Sequence, residues 1–147
     1  MSSWEILPAT SEELHWLKVR AECAMTDDMN GIVCYRDDNL VAAVGLESWS
    51  HNSVTIHIVI EDPLVFKHRY AEEVFKYIFE DCDRGLVIGV TPANNEKALA
   101  FNRHIGLTEI YRIADGYDVG IDYVVQELRK ENCRYIEHGK EIHTEAA

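Results

Sequence analysis

In the stretch PANNEKALAFNRHIGL, Ala98, Phe101, Asn102 and Ile105 recur at spacings i, i+3, i+4 and i+7, so they share one helical stripe. Three of them are core-type residues and Asn102 is a polar amide. A buried amide must find hydrogen-bond partners or cost about 1–3 kcal/mol. Asn102 therefore belongs either to a satisfied core network or to a site. The cysteines and histidines offer no such pattern. Cys23, Cys34, Cys82 and Cys133 are scattered, with no C-x-x-C pair, and read as reduced, packed thiols rather than a disulfide framework or zinc knuckle. No H-E-x-x-H occurs, and His138 and His143 lie in a polar segment, so no metal is expected.

The formal charge is −12, from 26 acidic against 14 basic residues. Such a surface repels phosphate backbones and excludes nucleic-acid binding through a basic face. It suits an amine or a basic protein partner. No apolar run approaches the ~18 residues of a membrane span, and the N-terminus lacks a signal pattern. These features imply no membrane association and a cytoplasmic location.

Periodicity along the chain sets out the secondary structure around these residues. Trp4 to Leu7 is a short strand. Thr10-Ser11-Glu12-Glu13 is a capping box, and the helix after it sets Leu14, Leu17, Ala21, Ala24 and Met25 on one face. Gly31 to Tyr35 and Leu40 to Trp49 form a hairpin across Arg36-Asp37-Asp38-Asn39. Ser53 to Ile60 (SVTIHIVI) is apolar on both faces and reads as a central strand. After Pro63, a helix over roughly Lys67 to Cys82 buries Ala71, Val74, Phe75, Ile78, Phe79 and Cys82. Leu86 to Val90 is a strand, and the Asn102 helix follows. Strands over Leu107 to Ile113 and Ile121 to Leu128 close the chain, joined by the turn-rich Ala114 to Asp118. The order β-α-β-β-β-α-β-α-β-β predicts one mixed α/β domain over residues 1–136. Its sheet is mostly antiparallel with one parallel strand pair, and helices cover both faces. Residues 137–147 read as a polar, mobile tail.

Asn95 to Leu107 resembles the N-x-x-A-x-x-Φ-Y-x-x-x-G-F helix of the Gcn5-related N-acetyltransferase (GNAT) superfamily, and the element order is similar over nearly the whole chain. The ending ELRKENCRYI resembles that of phage-encoded members. The resemblance implies transfer of an acetyl group from acetyl-CoA to an amine of a small molecule or protein. The coenzyme would lie between Ser53–Ile60 and Leu86–Val90, with its phosphates at the start of the crossover helix. Phe66, Lys67, His68, Arg69, Tyr70, Ala71 and Asn95 are the implied coenzyme-binding positions.

Three family positions depart from pattern. Arg69 stands where the phosphate loop has glycine, with Lys67 and Arg69 able to substitute side-chain charge. Thr55 stands at the carboxylate base, leaving His57, two residues along the same strand face, as candidate base. Asn102 stands at the thiolate-protonating tyrosine, with Tyr70, Tyr111 and Tyr117 as substitutes. The alternative is a catalytically inactive module on the same fold, such as a virion component or host-factor inhibitor, placed in the virion or host cytoplasm. The acceptor pocket would come from Trp16 to Asn30 and Ala114 to Gly120.

Overall fold

A strand apolar on both faces, such as Ser53–Ile60, needs cover from both sides. In the computed structural model, which describes residues 1–138, this segment is β4, the middle strand of a seven-stranded sheet. The strands are β1 (Trp4–Pro8), β2 (Asn30–Arg36), β3 (Asn39–Glu47), β4 (Ser53–Ile60), β5 (Leu86–Pro92), β6 (Thr108–Asp118) and β7 (Ile121–Arg129). The helices are α1 (Ser11–Ala21), α2 (Tyr70–Lys76) and α3 (Glu96–His104). In space the strands run β1-β2-β3-β4-β5-β7-β6, and only β4 and β5 pair in parallel. The mixed sheet and the parallel pair are as the sequence implies. Of the expected tail, residues 139–147 lie outside the described residues.

Cover for one face comes from α1. Thr10 caps it through the Glu13 amide, and the Glu13 carboxylate returns the bond to the Thr10 amide at 2.9 Å. Leu14 and Leu17 are buried with Met29, Val33 and Ala43 beneath this helix. Gly45 permits the close seat, since a Cβ there would lie 2.4 Å from the Leu17 Cδ2. Glu22 then adopts left-handed φ (54°) and ends the helix. Ala24 and Met25, expected on its inward stripe, are therefore exposed.

The opposite face holds the main core, where Val74, Phe75, Ile78 and Phe79 pack over Val54, Ile56, Val87 and Leu128. The single helix expected over Lys67 to Cys82 is instead three pieces. A 3-10 turn spans Pro63–His68, Arg69 takes left-handed φ (68°), α2 follows, and Tyr77–Asp81 forms a π turn. The interruption has a packing reason. Residues five apart on a helix diverge by about 140°, yet Val65 and Tyr70 are both buried, and the left-handed residue resets the phase between them. The Tyr70 hydroxyl also donates to the Ile32 carbonyl at 2.5 Å.

The last hairpin is longer than expected. Ala114 to Asp118 continues β6 irregularly instead of turning, and the turn falls at Val119-Gly120, with Gly120 at φ 82°. Asp115 organises it: its amide donates to the Asp122 carboxylate and its own carboxylate accepts from the Gly120 amide at 2.7 Å.

Leu17 is fully buried and Val19, on the same helix, is 59% exposed. Leu17→Ala should cost about 2–5 kcal/mol in urea unfolding, whereas Val19→Ala should stay within about 0.5 kcal/mol. Equal effects would show that α1 is not held through this contact.

Candidate functional site

β4 and β5 pair only at Ser53 with Leu86, Val54 with Val87 and Thr55 with Ile88. Beyond that point each strand keeps its other neighbour. β4 follows β3 to the Ala42–Ile60 pair, and β5 follows β7 to the Pro92–Tyr123 pair. The strands part, and the β5-facing edge of β4 from Ile56 to Ile60 has no strand partner. A cleft opens there, lined by Ile58, Val59, Asn95, Ala98 and Asn102.

Asn102 is 9% exposed, at the base of this cleft. Its Nδ2 donates to the Gln126 Oε1 at 3.0 Å and to the Thr91 Oγ1 at 3.4 Å, tying α3 to β7 and β5. Both readings of its stripe position therefore meet: the amide belongs to a buried polar network, and that network floors the cleft. Thr91 and Gln126 were not legible as its partners, because they lie 11 and 24 residues away on different strands.

His57 lies on the α1 side of β4, with its Nε2 3.5 Å from the Glu47 Oε1 on β3. Both side chains are largely buried, at 20% and 13% exposure. Burial disfavours the imidazolium and holds the His57 pKa below its ordinary 6.5, while the charge and hydrogen bond of Glu47 pull it upward without prevailing. Glu47 is the site residue that sequence reasoning missed. The only signal was a carboxylate near the end of the run Leu40 to Trp49, and its meaning depends on the β3–β4 register, which sets Gly45 against His57 and Glu47 against Thr55.

Around this pair lies a cavity of about 370 Å³. Glu22, Cys23 and Ala24 form its wall after α1, Glu47, Thr55 and His57 its floor, and Tyr117 and Tyr123 the side from the last hairpin. Asn95 borders both this cavity and the cleft, so the two adjoin. The Asn95 side chain itself caps α3, accepting from the Ala98 amide at 3.1 Å.

The remaining coenzyme-binding candidates sit around the interrupted helix. Lys67, His68 and Arg69 are exposed. His68 stacks on Trp4 with centroids 4.1 Å apart, and the Arg69 guanidinium lies 4.0 Å from the Glu72 carboxylate. Phe66 packs against Phe101, and the Tyr70 and Ala71 side chains are core. These last two can meet a ligand only through their backbone. Among the substitute tyrosines, Tyr70 is buried, Tyr111 is 66% exposed on β6, and Tyr117 alone borders the cavity. Among the described residues no group of three or more His, Cys, Asp or Glu is placed to hold a metal ion, and no helix is long and apolar enough to cross a membrane.

No protein-family model and no curated protein matches the sequence. Solved structures do match. The spermidine/spermine N-acetyltransferase SpeG from Vibrio cholerae, in complex with manganese ions, superposes with a TM-score of 0.68 at 12% identity, over 96% of each chain. Mutant forms of the same enzyme give a TM-score of 0.70 at 13% identity, over 87% of this chain and 94% of that one. A probable acetyltransferase gives 0.60 at 19% identity, over 82% and 71%. At these identities the likeness is one of fold: the chain has the GNAT acyltransferase fold.

Protonation of His57 can be followed without a substrate. Because its folded pKa lies below the unfolded value, the stability it contributes is full above about pH 6.5 and is lost as pH falls toward the folded pKa. Glu47→Gln removes the negative charge that raises this pKa. NMR titration of the ring should show it moving further down, and an unchanged midpoint would show that Glu47 does not act on it.

Proposed function

We propose that the chain is an N-acetyltransferase that moves an acetyl group from acetyl-CoA to the amine of a small cationic molecule. The observation that carries this reading is the meeting of the β4–β5 cleft with a cavity floored by the Glu47–His57 pair. Acetyl-CoA is the reading's co-substrate, and two features fit it. The unpartnered edge of β4 offers backbone groups where an amide-containing arm can lie like a missing strand. Arg69 holds a left-handed backbone, the conformation glycine adopts most readily, at the position where the resemblance sets a phosphate-loop glycine. The β4 edge over Ile56 to Ile60 would hold the arm, and the backbone of Phe66 to Ala71 with the Lys67 and Arg69 side chains would hold the phosphates. Acetyl-CoA supplies the activated thioester.

The chain's own part is to bind, desolvate and deprotonate the amine. Transfer forms an N–C bond and breaks a C–S bond. The electron pair of the latter leaves on the coenzyme A sulfur as a thiolate, which takes its proton from solvent. The attacking nitrogen must shed a proton. His57 is the receptor. With its Nε2–H directed at Glu47, the neutral ring carries its lone pair on Nδ1. Burial keeps the ring neutral near pH 7, and Glu47 stabilises the imidazolium once formed. Both Asn102 amide hydrogens are committed to Gln126 and Thr91, so Asn102 shapes the cleft floor and does not protonate a thiolate.

The acceptor's charge follows from the cavity wall. Among the described residues lining it, Glu22 and Glu47 are carboxylates and none is lysine or arginine. Two tyrosine rings add faces that favour a cation. A polyamine such as spermidine, on which the similar SpeG acts by its name, has this chemistry.

Thiol release from acetyl-CoA with spermidine and simpler amines tests the reading, alongside calorimetric titration of coenzyme A. His57→Ala should lower kcat/KM by about 10²–10⁴-fold with coenzyme affinity unchanged. Wild-type kcat/KM should hold below pH 6.5, where an ordinary histidine would already be protonated. A wild type that neither binds coenzyme A nor releases thiol ends the proposal. Arg69→Gly keeps the left-handed turn without strain and removes the guanidinium. Coenzyme A should then bind about tenfold more weakly, with a shallower salt dependence and unchanged melting temperature. Tighter binding would mean that the Arg69 side chain obstructs the loop.

A further inference from the structure

The two edges of the sheet are unlike. β1 has five residues, ends in Pro8 and carries Glu5 at its second position, which are the ordinary guards of an exposed edge. β6 has 11 residues, contains no proline or lysine, and is exposed along its whole length. Its large apolar side chains stand in solvent: Ile110 is 52% exposed, Tyr111 66% and Ile113 43%. Monomeric proteins rarely leave such a strip uncovered.

We infer that β6 is the contact surface between two copies of this chain, apposed antiparallel about a two-fold axis between Ile110 and Tyr111. Charge selects this occupant and this register. The chain carries −12 overall, so most contacts between copies bring acid against acid. Thr108 to Ile113 holds one acid, Glu109, and one base, Arg112, and is locally neutral. The bulge between Glu109 and Tyr111 brings Glu109 and Arg112 close enough to bond, at 3.2 Å. An axis between Ile110 and Tyr111 places Glu109 of one copy opposite Arg112 of the other, twice over. The same axis sets Ile110 against Tyr111 and Thr108 against Ile113, covering the exposed apolar side chains. This contact would also brace the hairpin that carries Tyr117 and Tyr123 to the cavity wall. It depends on the fold and stands whether or not the chain transfers acetyl groups.

Sedimentation velocity over a roughly hundredfold concentration range tests it, with circular dichroism to confirm folding. The wild type should dimerise. Glu109→Arg places four arginines together and should raise the dimer dissociation constant at least about tenfold. Adding Arg112→Glu to that variant restores opposite charges across the axis and should restore the dimer. A wild type that stays monomeric throughout overturns the inference and leaves the strip to a different partner. A dimer indifferent to Glu109→Arg places the interface elsewhere, and a dimer not rescued by the double change refutes the two-fold register.

Discussion

Three residue pairs hold β4 and β5 parallel, from Ser53 with Leu86 to Thr55 with Ile88, and past them the strands have incompatible allegiances. β3 keeps β4 through Ile60, and β7 keeps β5 through Pro92. Backbone groups that would have completed a ladder are left facing a gap, where water or a ligand can meet them. The cleft, its adjoining cavity and the residues at their junction all follow from this divergence. The main core under α2 packs on the paired end at Val54 and Val87 and runs on beneath Ile56, Ile58 and Ile60.

The gap has a polar floor. Asn102, Thr91 and Gln126 are the buried polar residues among those described, and the Asn102 amide donates to both of the others, joining α3 to β5 and β7. An apolar floor could slide or close by repacking. A hydrogen-bonded one resists repacking, since losing these bonds would leave the Asn102 amide and the Gln126 carbonyl buried and unpaired. On the other side of β4, burial and a neighbouring carboxylate act on His57 in opposite directions, and burial wins. A ring kept neutral next to a carboxylate is suited to receive a proton and then be stabilised.

The interrupted helix shows side-chain type and backbone conformation parting ways. Residue 69 is an arginine, yet its backbone is left-handed, because Val65 before it and Tyr70 after it both reach the core. The packing on either side fixes the turn, leaving the side chain free to carry charge.

Element order, the central strand and most of the inward residues of the helices were legible in the sequence, because each is a local matter of periodicity, capping and turn residues. The capping box at Thr10 and the turn at Asp37-Asp38, where both residues take positive φ, stand where their residue types put them. The stripe position of Asn102 was legible too. Its partners were not, nor was the pairing of Glu47 with His57, since both depend on register between strands distant in sequence. The break at Arg69 and the extension of β6 through Ala114 to Asp118 went against local signals, because core packing and an Asp115–Gly120–Asp122 hydrogen-bond set outweighed them. Local propensities are worth tenths of a kcal/mol to about 1 kcal/mol per residue, and a buried side chain is worth more. What each residue prefers is written in the chain. Which preferences are overruled, and which polar groups end up face to face, only the packed tertiary structure decides.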